Sequence, residues 1–438
     1  MVVLLIIISL LVFLLTNVLD IGIYSFIFFV ILISLDILKN KTLTYIQIWN
    51  FAYCYMVCSE MILRSQSLQN STYGIQAVKF IIISNIIINL GYYLKVQRIR
   101  SINTYDGETV LKKFSAKNFL LFYLFISLIF FIAVMPQAIL AFKYGRIGSG
   151  ELNSEFSGTF IYQIIFAIGL ILPTFIIYYY RFILNYKYTL PIIFIFLICN
   201  IPYFLIGTRF NILFSFIAPV LLLLVNKKLK KIWVFACVVS FLLFNSLISY
   251  IRENRESVKF EQLAETQNVF VTIAQKGSDE GIVTGMTQIL DYVNKNEYTY
   301  GSQSGFIFYF LIPRSIWPDK PTQTSYWLVR EYDEVSDSFS AAYGYWGELY
   351  MDFGYFSIII FFIIGMLIST AEGFKNKLFK TGNPKIILFI ILYPYLFFSV
   401  RSPITSFIIL VNILLVYAFF SLINKKLFNV TYRRTLHK

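Results

Sequence analysis

Apolar runs long enough to cross a bilayer recur along almost the whole chain, and nothing constrains its fold more. Inside hydrocarbon no water is available to backbone N–H and C=O groups, so each run must satisfy its own; a helix does this within one segment. A closed barrel would need many short strands of alternating polarity, and the sequence has none. Spans are expected at 2–16, 21–38, 43–63, 75–94, 119–142, 159–180, 189–206, 210–225, 232–250, 344–370, 386–400 and 403–423. The first is short, and is either tilted or paired with the second as a hairpin through Asn17–Asp20. Charged residues make up 14% of the chain, against about 25% in a soluble domain. The expected fold is therefore an all-α polytopic membrane protein of about twelve transmembrane helices with one large loop.

Charge distribution sets the expected orientation. The net charge of +14 would suit a nucleic-acid partner only if it were gathered on one surface. Instead, 23 of the 37 Lys and Arg fall in the short segments 39–42, 95–118, 181–188, 226–231, 371–385 and 424–438, on alternate sides of the spans. The positive-inside rule makes these cytoplasmic, with both termini inside. The basic excess is a signature of the cytoplasmic leaflet, and no nucleic-acid partner is expected. The amino terminus opens directly on an apolar run, without a basic leader or small-residue cleavage site, and reads as a retained span. Neither an internal repeat nor a pair of broken helices in inverted positions is evident, which counts against a secondary transporter.

One segment does not belong to the membrane. Residues 251–343 hold 13 Asp/Glu against 8 Lys/Arg and are rich in turn formers. The expected organisation is nine spans in 1–250, a large extracytoplasmic loop in 251–343, three spans in 344–423 and a basic cytoplasmic tail in 424–438. Within the loop, apolar residues at helical spacing predict helices over Val258–Gln275 and Gly281–Val293. Such helices are expected to lie on the outer leaflet or to cap the bundle, the first as a lid or platform.

Three patterns carry chemistry. The first is Phe308-Tyr-Phe-Leu-Ile-Pro-Arg-Ser-Ile-Trp-Pro-Asp-Lys-Pro321. Its prolines fix the chain direction, Trp317 offers a flat face for a sugar, and Arg314 and Lys320 offer cations for phosphate. The plainer reading is a rigid segment anchored at the interface by its aromatic residues. The second is Ser340-Ala-Ala-Tyr-Gly-Tyr-Trp-Gly-Glu-Leu-Tyr-Met-Asp-Phe-Gly354, running into the tenth span. Glu348 and Asp352 share a helix face, Tyr343 and Trp346 add aromatic surface, and carboxylates at this depth are costly enough to be functional candidates. Against this stands a pair of interfacial carboxylates in contact with water. The third is Gly207-Thr-Arg-Phe-Asn211, a span junction with almost no loop. Arg209 there, Arg401 in the turn Val400-Arg-Ser-Pro403, and Arg252 and Arg255 after the ninth span gather at one leaflet boundary. Guanidinium groups there either snorkel to headgroups or form limbs of a clamp on a lipid pyrophosphate.

Metal and covalent chemistry have little to work with. The single histidine, His437, is in the tail, the four cysteines sit inside apolar spans, and Asp-x-Asp, P-loop and nucleophile-elbow patterns are absent. Glu331-Tyr-Asp333 is a loose acidic pair in a solvated run. No metal and no cofactor are expected.

The Ile-Pro-Arg-Ser-Ile-Trp-Pro-Asp-Lys-Pro run, the Gly-Glu-Leu-Tyr-Met-Asp-Phe-Gly run, the Gly-Thr-Arg junction and the late large loop together resemble the bacterial oligosaccharide repeat-unit polymerases, the Wzy-type O-antigen and capsule polymerases. The architectural likeness covers the chain and the motifs cover a small part of it. The resemblance implies en bloc transfer of a glycan from undecaprenyl pyrophosphate to another lipid-linked repeat unit, at a metal-independent site on the outer face of the bacterial plasma membrane. It also brings in flippase and chain-length regulator proteins as candidate partners. The Arg-x10-Gly pattern of some members is not matched, since Ser325 follows Arg314 and Ala341 follows Arg330 at that spacing. Under this reading Arg209, Arg252, Arg314 and Arg401, with Lys320, hold the pyrophosphate. Glu348 orients or deprotonates the acceptor hydroxyl, and Trp317, Trp346 and Tyr343 contact sugar. Two alternatives are an O-antigen ligase and, in a different class, a lipid-linked oligosaccharide flippase or transporter.

Overall fold

The computed structural model describes residues 15–40, 43–99, 109–111, 116–152, 160–182, 189–206, 209–224, 281–310, 312, 316–332, 341–380, 383–427 and 432–434. In chain order the helices are α1 (Val18–Asn40), α2 (Tyr45–Tyr53), α3 (Ser59–Leu63), α4 (Ser65–Asn70), α5 (Gly74–Ile99), α6 (Ala116–Leu152), α7 (Phe160–Phe182), α8 (Thr189–Ile206), α9 (Arg209–Ile212), α10 (Ala218–Leu224), α11 (Ile282–Lys295), α12 (Phe306–Tyr309), α13 (Thr324–Tyr332), α14 (Gly344–Phe353), α15 (Ser357–Lys380), α16 (Ile386–Ser399) and α17 (Pro403–Leu427). The protein is an all-helical polytopic membrane protein. Among the described residues six segments are long and apolar enough to cross a bilayer, and 190–206, 213–222 and 386–399 are shorter apolar helices. The expected third span, 43–63, is continuous through a π-helical turn, Cys54–Cys58, between α2 and α3. The expected span 232–250 lies outside the described residues, as does 2–16 except for its last two residues. The helix expected over Val258–Gln275 also lies outside them, whereas that expected over Gly281–Val293 is α11. One small departure from all-helix is a pair of three-residue strands, β1 (Thr109–Leu111) and β2 (Tyr432–Arg434), antiparallel with Val110 opposite Arg433.

The chain forms two compact units. The first comprises 1–103, 265–373 and 396–408. Within it α1 runs antiparallel to α2–α3: the Ser25 and Tyr53 hydroxyls meet at 3.2 Å, and a Cβ on Gly22 would stand 3.0 Å from that of Met61. Helices α5 and α15 run parallel, with Gln76 donating to the Tyr355 hydroxyl, Phe80 against Phe361, and Gly365 against the Ile88 carbonyl. Their axes approach closely because Gly91 and Gly365 have no side chains; a Cβ on Gly365 would lie 2.0 Å from the Ile88 oxygen.

Several buried polar groups in this unit pair with one another, as low dielectric favours. Trp49 Nε1 donates to Asn85 at 2.8 Å, and Asn50 and Asn89 exchange amide bonds at 2.8 and 2.9 Å. Asp36 accepts from Thr44 and Gln47, and Glu372 from the Tyr45 N–H, so both carboxylates stand at the amino end of α2, where the helix dipole favours them. The three cysteines among the described residues are free and buried.

The second unit comprises 104–264, 374–395 and 409–438. Here Phe119, Tyr123, Phe175, Tyr179 and Phe420 form one aromatic cluster. Asn424 bridges two of its hydroxyls, accepting from Tyr123 and donating to Tyr179. Gly169 leaves room for Phe130 and Tyr203.

The tenth span departs from expectation. Sequence patterning runs it as one helix from 344, but Gly354, at φ +53° and ψ −136°, ends α14, and a 3-10 turn, Gly354–Phe356, precedes α15. The 24 residues of α15 rise about 36 Å at 1.5 Å each, enough for a hydrocarbon core of about 30 Å. So α14 is a separate helix ahead of the crossing.

Candidate active site

Helix α14 is enclosed on nearly every face. Tyr343, just ahead of it, and Gly347 meet α11: a Cβ on Gly347 would stand 2.7 Å from Ile289 Cδ1, and one on Gly285 2.8 Å from the Tyr343 ring. Trp346 lies edge-on to Trp49 and Tyr53, and Tyr350 edge-on to Phe80. Gly344 and Tyr345 donate their N–H groups to the carbonyls of Arg401 and Val400, so the turn before α17 closes the start of α14. Gly344, at φ +67°, also abuts Ile282. Three helix amino termini, of α11, α14 and α17, therefore meet at one place. Each carries partial positive charge on its unsatisfied N–H groups.

Three buried carboxylates lie along α14 and at the amino end of α11, and their uses differ. Glu60 on α3 accepts the Val283 N–H at 2.8 Å, the Thr284 N–H at 2.9 Å and the Thr284 hydroxyl at 2.7 Å. It thereby caps α11, whose own N-cap, Gly281, supplies no side chain. Asp352 accepts the Thr299 hydroxyl and the Gln303 and Ser304 N–H groups, fixing the turn 299–304 with both oxygens. Glu348 is 4% exposed and accepts the backbone N–H of Ile404, in the first turn of α17. Its Oε2 has no hydrogen-bond partner among the described residues, nor has the buried Nε1 of Trp346. An uncompensated polar atom in such a place is expensive, and of the three carboxylates Glu348 is the one left with an unpaired oxygen.

The remaining expected site residues are spread out. Tyr343 and Trp346 join Glu348 and Arg401 at the junction, but both rings are enclosed, and neither presents an open face to water. Trp317 is half-exposed and packs on Tyr309 at 5.3 Å. The Lys320 ammonium donates to the carbonyls of Phe310 and Ile312 and lies 5.5 Å from the Phe306 ring, so it closes its own loop. Arg209 opens α9 in the second unit. Arg252 and Arg314 lie outside the described residues. Farther along α11, Asp291 accepts from Lys295 at 2.6 Å and from the Tyr332 hydroxyl at 2.8 Å. Those two bonds, the lysine's foremost, hold its carboxyl below the usual range.

The profile of the family described as "O-antigen polysaccharide polymerase Wzy" matches residues 1–427. The chain belongs to this family. Two similar proteins, each named "O-antigen polymerase", come from Salmonella typhimurium and Salmonella typhi. Each is 28% identical over an alignment that covers 40% of this chain and 50% of the relative, so the chain spans about half the length of the curated relatives it matches. No solved structure matches this Wzy chain.

Sequence reading of this Wzy chain missed Glu60. A signal was present, since it is an isolated carboxylate near the end of an apolar span, and such residues are functional candidates by default.

Proposed function

We propose that this protein polymerises undecaprenyl-pyrophosphate-linked oligosaccharide repeat units by en bloc glycosyl transfer at the outer face of the bacterial plasma membrane. Both termini are then cytoplasmic and 251–343 is extracytoplasmic. Family membership supports polymerisation over ligation or flipping. The observation that carries the site is the free Oε2 of buried Glu348 beside the meeting point of the α14 and α17 amino termini. The parallel course of α5 and α15 supports the topology, because the fourth and tenth of twelve spans cross in the same direction.

In the proposed reaction the acceptor hydroxyl of the incoming unit gives its proton to Glu348 Oε2 as its oxygen bonds to the anomeric carbon of the growing chain. The bond from that carbon to the pyrophosphate oxygen breaks, and its electron pair leaves with the lipid pyrophosphate. Departing negative charge meets Arg401 and the helix N–H groups. Trp317 offers its half-exposed ring to sugar. Pyrophosphate is already a good leaving group, so positioning and charge stabilisation suffice without a metal.

Glu348→Gln keeps the volume and the bond to Ile404 but not the base. A strain lacking the protein and complemented with this variant should show single repeat units in place of a ladder. Loss of a general base is worth about 10²–10⁴ in rate. A full ladder at wild-type protein level would dismiss Glu348 as the base.

A further inference from the structure

The long polar segment contains a patch that does not suit water. Tyr300 and Ile316 are each 74% exposed and Phe308 81%, with Ile312 and Trp317 beside them. Between Tyr298 and Trp317 the only charged residue is Arg314. The Lys320 ammonium is turned back onto the carbonyls of Phe310 and Ile312. Exposed aromatic and aliphatic side chains in this number, outside a membrane crossing, mark an interaction surface.

The position of the patch identifies what covers it. The turn that begins it is fastened to the α14–α15 junction: the Thr299 N–H donates to the Met351 carbonyl at 3.0 Å, Asp352 binds the turn, and Gly354 packs against the Tyr298 ring. That junction is where α15 begins its crossing, so it lies at the edge of the hydrocarbon. Tyr355, Phe356 and Ile359, at the start of α15, are themselves exposed apolar residues, and on a spanning helix such a stripe faces lipid. The patch begins from that same junction.

We propose that residues 300–310, 312, 316 and 317 are seated in the outer part of the leaflet from which α15 enters, with Phe308 and Ile316 among the acyl chains and Tyr300 and Trp317 at headgroup depth. The covering partner is the bilayer itself. This holds whatever reaction the protein performs. Under the polymerase reading it keeps the loop at the depth of a lipid pyrophosphate.

The test uses the full-length protein in phosphatidylcholine–phosphatidylglycerol vesicles. Phe308→Cys and Ile316→Cys are labelled separately with bimane, with Lys295→Cys on the exposed end of α11 as reference. The described native cysteines are buried. Two patch positions are used so that misfolding of one variant leaves the other readable. Lipids brominated near the headgroup should remove most emission at 308 and 316 but little at 295, and aqueous iodide should do the reverse. Strong iodide quenching at 308 and 316 would show the patch in water. Quenching by neither agent would show a protein, such as a second copy, covering it. Either result overturns the proposal.

Discussion

Glu60 offers the sharpest test of how the long segment is held to the bundle. Glu60→Ala removes the acceptor of two backbone N–H groups and one hydroxyl, all at 2.7–2.9 Å. Loss of an N-cap costs about 1–2 kcal/mol, and each buried N–H left without an acceptor costs a further 1–3 kcal/mol or so. Water entering as α11 loosens recovers part of this, so about 3–4 kcal/mol is expected for the docking of α11. At roughly 1.4 kcal/mol per decade, opening should become several hundred times more frequent. The apolar face of α11, with Ile282, Val283, Met286, Ile289 and Leu290 buried, is untouched and should return the helix to its seat. Hydrogen exchange resolved by peptide, in detergent or nanodiscs, reads this directly. Exchange at 282–286 should accelerate by about two orders of magnitude, while α5 and α15 stay as they are. Glu60→Gln retains one acceptor and should fall between. If exchange in α11 changes by less than about threefold in Glu60→Ala, when even 1.4 kcal/mol gives tenfold, the carboxylate does not hold the helix and the reasoning fails.

Two further outcomes follow from packing and charge. Gly365→Ala places a Cβ 2.0 Å from the Ile88 carbonyl oxygen, which must force α5 and α15 apart; overpacking of this kind costs about 1–3 kcal/mol and should lower the thermal midpoint of the purified protein. The Asp291 carboxyl, depressed by Lys295 and Tyr332, contributes stability above the unfolded aspartate value of about 3.9 and loses it as pH falls through the lower folded value. Exchange protection in α13, corrected for intrinsic rates, should therefore drop below about pH 4, and Asp291→Asn should show the reduced protection already at neutral pH.

How much was legible in the sequence depended on the range of the cause. Helix α11 begins and ends within two residues of its expected bounds, because its buried positions repeat at helical spacing and that repeat is local. The start of α17 was legible for a similar reason: Pro403 suits the first helical position. The break at Gly354 was not. Apolar composition continues through it, and only the backbone, turning to positive φ against the Tyr298 ring, separates α14 from α15. Glu348 was picked out as a carboxylate at membrane depth, but what distinguishes it from Asp352 lies in partners drawn from 299–304 and 404. Trp346 and Tyr343 looked like platforms for sugar because an aromatic ring has the same composition open or enclosed; their neighbours Trp49, Tyr53 and Gly285 come from elsewhere in the chain. The bond from Glu60 to Val283 spans 223 positions, and no local pattern encodes it.

The π-helical turn at Cys54–Cys58 decides where Glu60 points. There the Ser59 N–H reaches back five residues to the Cys54 carbonyl, so the turn holds one residue more than an α-helix would. An α-helix advances about 100° per residue. Winding the same residues as a regular α-helix would swing Glu60 by close to that angle, away from the α11 amino terminus. The fastening of a distant segment thus rests on one wide turn, which absorbs an added residue and leaves the acid on the face that meets α11.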